Sequence, residues 1–345
     1  MRKLIERILV IPFLAFSINT YSGGDPAKIK PTPLQEATAK PEKLVSKAKF
    51  DMPREKINES GRGYTVRLNV VGSAPKKVAL VSFYTFDPGT TSKTGNTVTT
   101  KNVGSAQAAM FATTFYNKSI ESLKSTFGTY GMELLTPDQY LSDADKKQAY
   151  NDFQIKNSGS SNFGNKFAQG LKNMATSGTS IVTNEAAEGF KMLKVQYDFN
   201  EPFDPNNLND CQNNEMMESL GYDLGRSLEV DAVLVVYNTM TVQTQWFKER
   251  YKLNASSMYM FGPNPTPLPE GKKDNKYYSK GLFYCGTRIS FKQDGILLNP
   301  KEPKKATPEQ LAEIEKNRYN GYEKILSALA AKMGEYIKEE VVKKK

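Results

Sequence analysis

The sequence predicts an α/β protein: a mixed sheet with flanking helices, preceded by an extended N-terminal arm. Three observations carry this expectation. Two nearly continuous apolar runs, VALVSFY at 78–84 and AVLVV at 232–236, have strand length and read as strands buried on both faces. Helical segments accompany them, the clearest placing Tyr116, Ile120, Leu123 and Phe127 at i, i+4, i+7 and i+11. Strands that alternate with helices along the chain argue for helices packed on a sheet rather than for a bundle or a sandwich.

The elements follow in order. The start, MRKLIERILVIPFLAFSINTYSGGDP, has basic residues at Arg2, Lys3 and Arg7, an apolar stretch over 8–18, and small residues at Thr20 and Ser22. It reads as a secretory signal peptide over 1–22, and the alternative is an uncleaved anchor. Residues 23–60 carry Pro26, Pro31, Pro33, Pro41 and Pro53 among Lys, Glu and Ala, which predicts an extended or disordered linker or arm. A single α/β domain is expected over 61–345. Residues 64–70 alternate apolar and polar, as a half-buried strand does. The strand from Val78 is ended by Asp87-Pro88-Gly89, and a polar loop runs on to about Ser105.

A helix is expected over 106–127, then a short strand over 132–135. Thr136-Pro137-Asp138-Gln139 is a helix-start signature, with a capping Thr, Pro in the first turn and Gln for a capping box. That helix should reach about Phe153. Residues 156–210 are polar and read as an insertion at the sheet edge, with helices near 163–174 and 184–193. Residues 214–228 read as a helix with a Met217, Leu220, Leu224, Leu228 stripe. Gly221 and Gly225 lie beside the stripe, where small residues let a helix approach a sheet closely. LEVDAVLVVYN follows over 228–238, with Asp231 at its mouth. An irregular loop is expected over 247–280, then a strand over 281–291, a hairpin turn at Asp294-Gly295 and a return over 296–298. Thr307-Pro308-Glu309-Gln310 repeats the helix-start signature before a last helix that runs to about Val341.

Composition restricts the chemistry. Among 345 residues there is no histidine. The commonest general base and the commonest metal ligand are therefore missing, and neither a Ser-His-Asp triad nor a usual catalytic zinc site can be assembled. No catalytic residue and no cofactor are expected. The weak metal candidates are Asp204, Asn206, Asp210 and Glu215, which resemble a calcium loop but place Leu208 where a ligand belongs and Asn209 where Gly is wanted. Acid pairs such as Asp143/Asp145 and Glu185/Glu188 lie in polar stretches, and nothing in their spacing selects a glycosidase-like pair. Cys211 and Cys285 are the two cysteines; in an oxidising compartment they form a disulfide or remain two free thiols. The net charge of +10 fits anionic polysaccharide, lipid head groups or an acidic protein better than nucleic acid for an exported chain.

The succession KKVALVSFYTF, helix, GMELLTPDQYL, helix, LEVDAVLVVYN resembles the order seen in the curli-secretion CsgG family and the amino-terminal domain of TolB. Val230-Asp231-Ala232 stands where that family often has Ala-Asp, and the strand and turn over 291–295 are similar to its D-G or T-G turn. The resemblance covers about 76–298. It implies an envelope protein whose α/β domain works by assembly or docking, with envelope proteins or further copies of itself as partners. The chain lacks the lipobox cysteine of the family's secretion pore, and two amphipathic membrane hairpins are not evident, so a soluble accessory or scaffold is expected rather than a pore. The rivals are a binder of an anionic envelope polymer or lipid surface, and a His-free carboxylate hydrolase.

Overall fold

The computed structural model describes residues 31–51, 74–94, 97–155, 182–195, 217–245, 248–263, 280–291, 295–299 and 307–342. All of them belong to one unit spanning Pro31–Lys345. The expected signal segment, the strand at 64–70 and the helix at 163–174 lie outside the described residues.

The arm is where expectation and structure first differ. Residues 31–51 are folded, as α1 (Pro33–Ala37), α2 (Pro41–Lys47) and β1 (Lys49–Asp51). Of the prolines that suggested an extended linker, Pro33 and Pro41 sit in the first turns of the two helices, where a missing N–H costs nothing. Thr32 and Gln35 close a capping box on α1. Leu34 and Leu44 are buried in the main core, so the arm is tied down by the only two leucines it has to offer.

The sheet is built around β2 (Lys77–Asp87), buried at every residue after Lys77. It is preceded in the sheet order by the strands β7 (Ala232–Gln245), β8 (Lys248–Pro263) and β9 (Gly281–Ser290), with β1 outermost. β2 runs parallel to β7 and to β5 (Glu133–Leu135), and antiparallel to β6 (Thr183–Ala186). β7, β8 and β9 form an antiparallel meander. The result is a mixed sheet with helices on both faces, as expected. Between β2 and the first helix of the body, β3 (Thr90–Thr94) and β4 (Thr97–Lys101) pair only with each other, where a loop was expected.

Alternate residues of β7 enter two different cores. Ala232, Leu234 and Val236 join one with α3 (Ser105–Thr129) and α8 (Tyr322–Val342), where Phe115 stacks on Tyr322 at 4.2 Å. Val233, Val235 and Tyr237 join the other, with α4 (Pro137–Tyr140), α5 (Ala144–Asp152) and α6. The α6 segment is π-helical over Glu218–Leu224 and closes with one α turn, Gly225–Ser227.

Several boundaries move. The helix opened by Thr136 stops at Tyr140, and Asp143 caps a new one by accepting from the Lys146 N–H. The last helix is two, α7 (Pro308–Asn317) and α8. The chain turns between them at Gly321, whose φ of +101° suits glycine and whose missing Cβ leaves room for the Thr38 hydroxyl. The loop expected over 247–280 is strand up to Pro263, because 251–261 continues the pleat beside β7 and buries Leu253, Met258, Tyr259, Met260 and Phe261. Residues 183–186 are strand, not helix, and enter the sheet beside β2, so this part of the polar insertion is integral to the fold. The hairpin at Asp294-Gly295 is also corrected. β10 (Ile296–Leu297) does not return along β9; both strands run antiparallel to β8, so β10 continues β9 after a short interruption. Among the described residues no helix is long and apolar enough to cross a membrane.

Candidate functional site

Asp231 stands directly before β7 and is exposed. Its Oδ2 accepts from the backbone N–H groups of Lys76 and Lys77, at 2.8 Å each, and its own N–H donates to Lys77 O at 2.9 Å. A carboxylate beside a turn commonly accepts from the N–H groups of that turn. Instead it holds the entry of β2, 154 residues earlier in the chain, and fixes the parallel register that begins at Val78 and Ala232. The turn itself is made by Glu229, at φ +55°.

A second acid closes the opposite end of β2. Asp87 is fully buried; its Oδ1 accepts from Gly89 N–H at 2.7 Å and its Oδ2 from Val103 N–H at 2.6 Å. These two backbone groups are the exit and re-entry points of the β3–β4 excursion. The carboxylate therefore clamps the root of a two-stranded ribbon, assisted by the Asn102 amide, which donates to Thr183 Oγ1 at 2.7 Å. Burial pushes the Asp87 carboxyl above its ordinary range, against the two N–H donors, which pull it down.

A buried polar network sits at a bulge in β2 between Leu80 and Ser82. There β2's outer edge is left uncovered by the short β5 and β6. Side chains finish it: Tyr140 OH donates to Leu80 O at 3.2 Å, and Tyr150 OH donates to Val81 O at 2.7 Å while accepting from Lys191 N–H at 2.8 Å. Ser82 Oγ donates to Lys191 O and accepts from Leu193 N–H. Lys191 Nζ reaches the Tyr150 and Asn151 carbonyls. Burial holds both tyrosine hydroxyls above the usual phenol range. The phenols and the hydroxyl of this network thus saturate backbone that a longer neighbouring strand would have paired.

Among the described residues, those singled out in the sequence are not brought together. Asp204, Asn206, Asp210, Cys211 and Glu215 lie outside the described residues. Cys285 is a free thiol, fully buried on β9, and burial pushes its pKa up. Asp143 is spent on the α5 cap and on Lys146, which also pairs with Glu229 at 2.6 Å. Glu185 sits in β6 opposite Thr85, while the Glu188 N–H donates to Thr113 Oγ1. Among the described residues no group of three or more Cys, Asp or Glu side chains is arranged to hold a metal. Asp87, Tyr140 and Tyr150 were not singled out. An acid directly after nine residues of buried strand and before Pro-Gly is the one signal that pointed to the first.

The remaining candidate is a surface. β2 pairs with β7 only as far as Thr239, whereas the β8 edge is flanked by β9 from Ala255 onward, by β10 at Leu253 and Lys252, and by Asn299, which bonds the Tyr251 N–H and the Glu249 carbonyl. The β7–β8 pair itself runs on to Gln245 opposite Lys248, so it is the β7 edge that continues past its neighbour. Met240, Val242, Tyr251 and Leu253 anchor one side of this ribbon to the α3 core, with Tyr251 edge-on to Phe111 at 5.3 Å, while Gln243 and Glu249 are exposed. Comparison with known protein families, curated proteins and solved structures finds no match.

Proposed function

We propose that this protein is an exported, non-enzymatic envelope component, an accessory or scaffold in the assembly or secretion of a surface structure, with a fold related to CsgG and the TolB amino-terminal domain. The observation that carries this reading is the β7–β8 ribbon, whose β7 edge runs on past the end of its pairing with β2 while β10 and Asn299 cover the β8 edge. A ribbon rooted in a rigid body is a natural docking element, because its backbone groups and exposed side chains are presented without an ordering cost at the moment of binding. The clamped β3–β4 ribbon supports the same reading. So does the order of β2, α3, β5, α4, α5, α6, β7, β8 and β9 along the chain, interrupted by β3–β4 and β6, which is compatible with the order the resemblance implies. The commitment of Asp87, Asp231, Tyr140 and Tyr150 to backbone groups favours a structural use of the chain's acids and phenols.

The test is localisation. Fractionation of cells producing the full chain, with protease added to intact and to permeabilised cells, is expected to place the protein outside the cytoplasm and shorter than 345 residues by the leader. Full-length protein in the cytoplasmic fraction overturns the proposal.

A second reading, an anionic lipid or polymer surface as partner, is favoured by one cluster. Lys76 and Lys77 open β2, and Lys280 and Arg226 lie over the Tyr222 ring at 5.8 and 5.3 Å. The strand registers put all of these at the same end of the sheet. Co-sedimentation with anionic but not neutral vesicles, lost as salt is raised, is the expected sign; equal binding to both vesicle types counts against it.

A further inference from the structure

Across the centre of the sheet, on the face covered by α3 and α8, a row of polar side chains interrupts the apolar core. Thr85 of β2 is in register with Asn238 of β7, and Asn238 with Ser256 of β8. All three are fully buried. Asn238 Oδ1 accepts from Ser256 Oγ at 2.7 Å and from the Tyr322 hydroxyl, brought in by α8, at 2.8 Å. Two atoms of the row make no hydrogen bond: Asn238 Nδ2 and Thr85 Oγ1. Turning the amide over exchanges its ends but still leaves one of them unpaired, so the deficit belongs to the site and not to the choice of rotamer.

An unpaired amide and an unpaired hydroxyl inside a core cost about 1–3 kcal/mol each, which native interiors seldom leave unrelieved. The two residues face the same core from adjoining parallel strands, whose spacing is roughly 4.8 Å. Neither of the two unpaired atoms reaches the other, so one small group between the two side chains would serve both. No charged side chain belongs to the row, so the bridging group is neutral, and it must both accept and donate.

We propose that Thr85 and Asn238 form an internal hydration site that holds one ordered water beneath α8. The water accepts from Asn238 Nδ2 and exchanges a hydrogen bond with Thr85 Oγ1. It joins β2 to the β7–β8–α8 polar cluster and completes a continuous hydrogen-bonded row across the three central strands.

The sign of one substitution tests this. Thr85→Val keeps the shape and removes the hydroxyl. If the hydroxyl is satisfied by water, Thr85→Val lowers Tm by about 2–4 °C; if the site is dry, removing an unpaired hydroxyl raises Tm, and the proposal fails. Thr85→Ser keeps the donor and is expected to retain the water. Should Thr85→Val not fold, the wild-type protein still decides. Water-oxygen magnetic relaxation dispersion is expected to count one more long-lived internal water in wild type and Thr85→Ser than in an Asn238→Leu variant. A high-resolution crystal structure with no density within hydrogen-bonding distance of both Thr85 Oγ1 and the Asn238 amide overturns the assignment.

Discussion

Gly221 of α6 lies against Gly262 of β8 with backbone touching backbone. A Cβ on Gly221 would collide with the Gly262 carbonyl oxygen, whereas one on Gly225 would meet only Val230 O at an ordinary 3.7 Å. The two glycines were expected to act alike, and only the first is an approach point. We predict that Gly221→Ala destabilises by about 1–3 kcal/mol, as overpacking does. Gly225→Ala is expected to be neutral or to stabilise by up to about 1 kcal/mol, through helix propensity. Urea denaturation of the two variants checks the contrast; equal losses would remove the close contact from the account.

Asp231 acts on the backbone of β2, and its role is structural. Asp231→Asn retains an oxygen for the Lys76 and Lys77 N–H groups, so a loss of roughly 1 kcal/mol or less is expected. Val233, one register step into the fully buried part of β7, is different: Val233→Asp places a carboxylate in the core and is expected to cost more than about 4 kcal/mol and to abolish folding. Circular dichroism melts distinguish the two. An Asp231→Asn protein with normal melting but no function in cells would mean that the carboxylate has a second task.

Asp87 predicts a pH dependence of definite sign. Its folded-state pKa is raised, so the folded protein holds this proton more tightly than the unfolded chain. The stability it contributes is complete below the unfolded value, near 3.8, and is lost as pH rises through the higher folded value. Asp87→Asn has no such titration. Subtracting the variant's Tm from the wild type's at each pH removes the other groups, and the difference is expected to grow as the solution is acidified towards pH 4. A difference that falls on acidification contradicts the assigned shift.

Cys285 is buried and its thiol is held in the protonated form. In a Cys211→Ser background, iodoacetamide should leave the native protein unmodified for hours at pH 8 and label it fully in denaturant. Rapid native labelling would show that β9 opens.

The sheet was legible where strands are buried on both faces, since runs such as VALVSFYTF leave no other explanation. The helix starts at Thr136 and Thr307 were legible because capping boxes are local chemistry. What was not legible depends on partners distant in sequence. Residues 248–263 mix Lys, Arg, Asn and Ser with apolar residues, and only pairing with β7 makes them one strand. Residues 31–51 look like a linker because their stabilisation rests on two leucines and a groove made by α8 and β9. The clamp at Asp87 required knowing that Gly89 and Val103 return to the same place. The polar row at Thr85, Asn238 and Ser256 required the register of three strands.

The proposed role rests on the β7–β8 ribbon meeting a partner, and the most direct measurement is photo-crosslinking from it. Gln243 is exposed on the ribbon, so a photoreactive residue there should leave the fold intact. Irradiation of intact cells is expected to give a discrete adduct with an envelope protein or a second copy of this chain, and none from a control position at exposed Lys147 on α5. Adducts of equal, low and diffuse yield from both positions, in a protein that melts normally, would contradict the claim that the ribbon is a docking element.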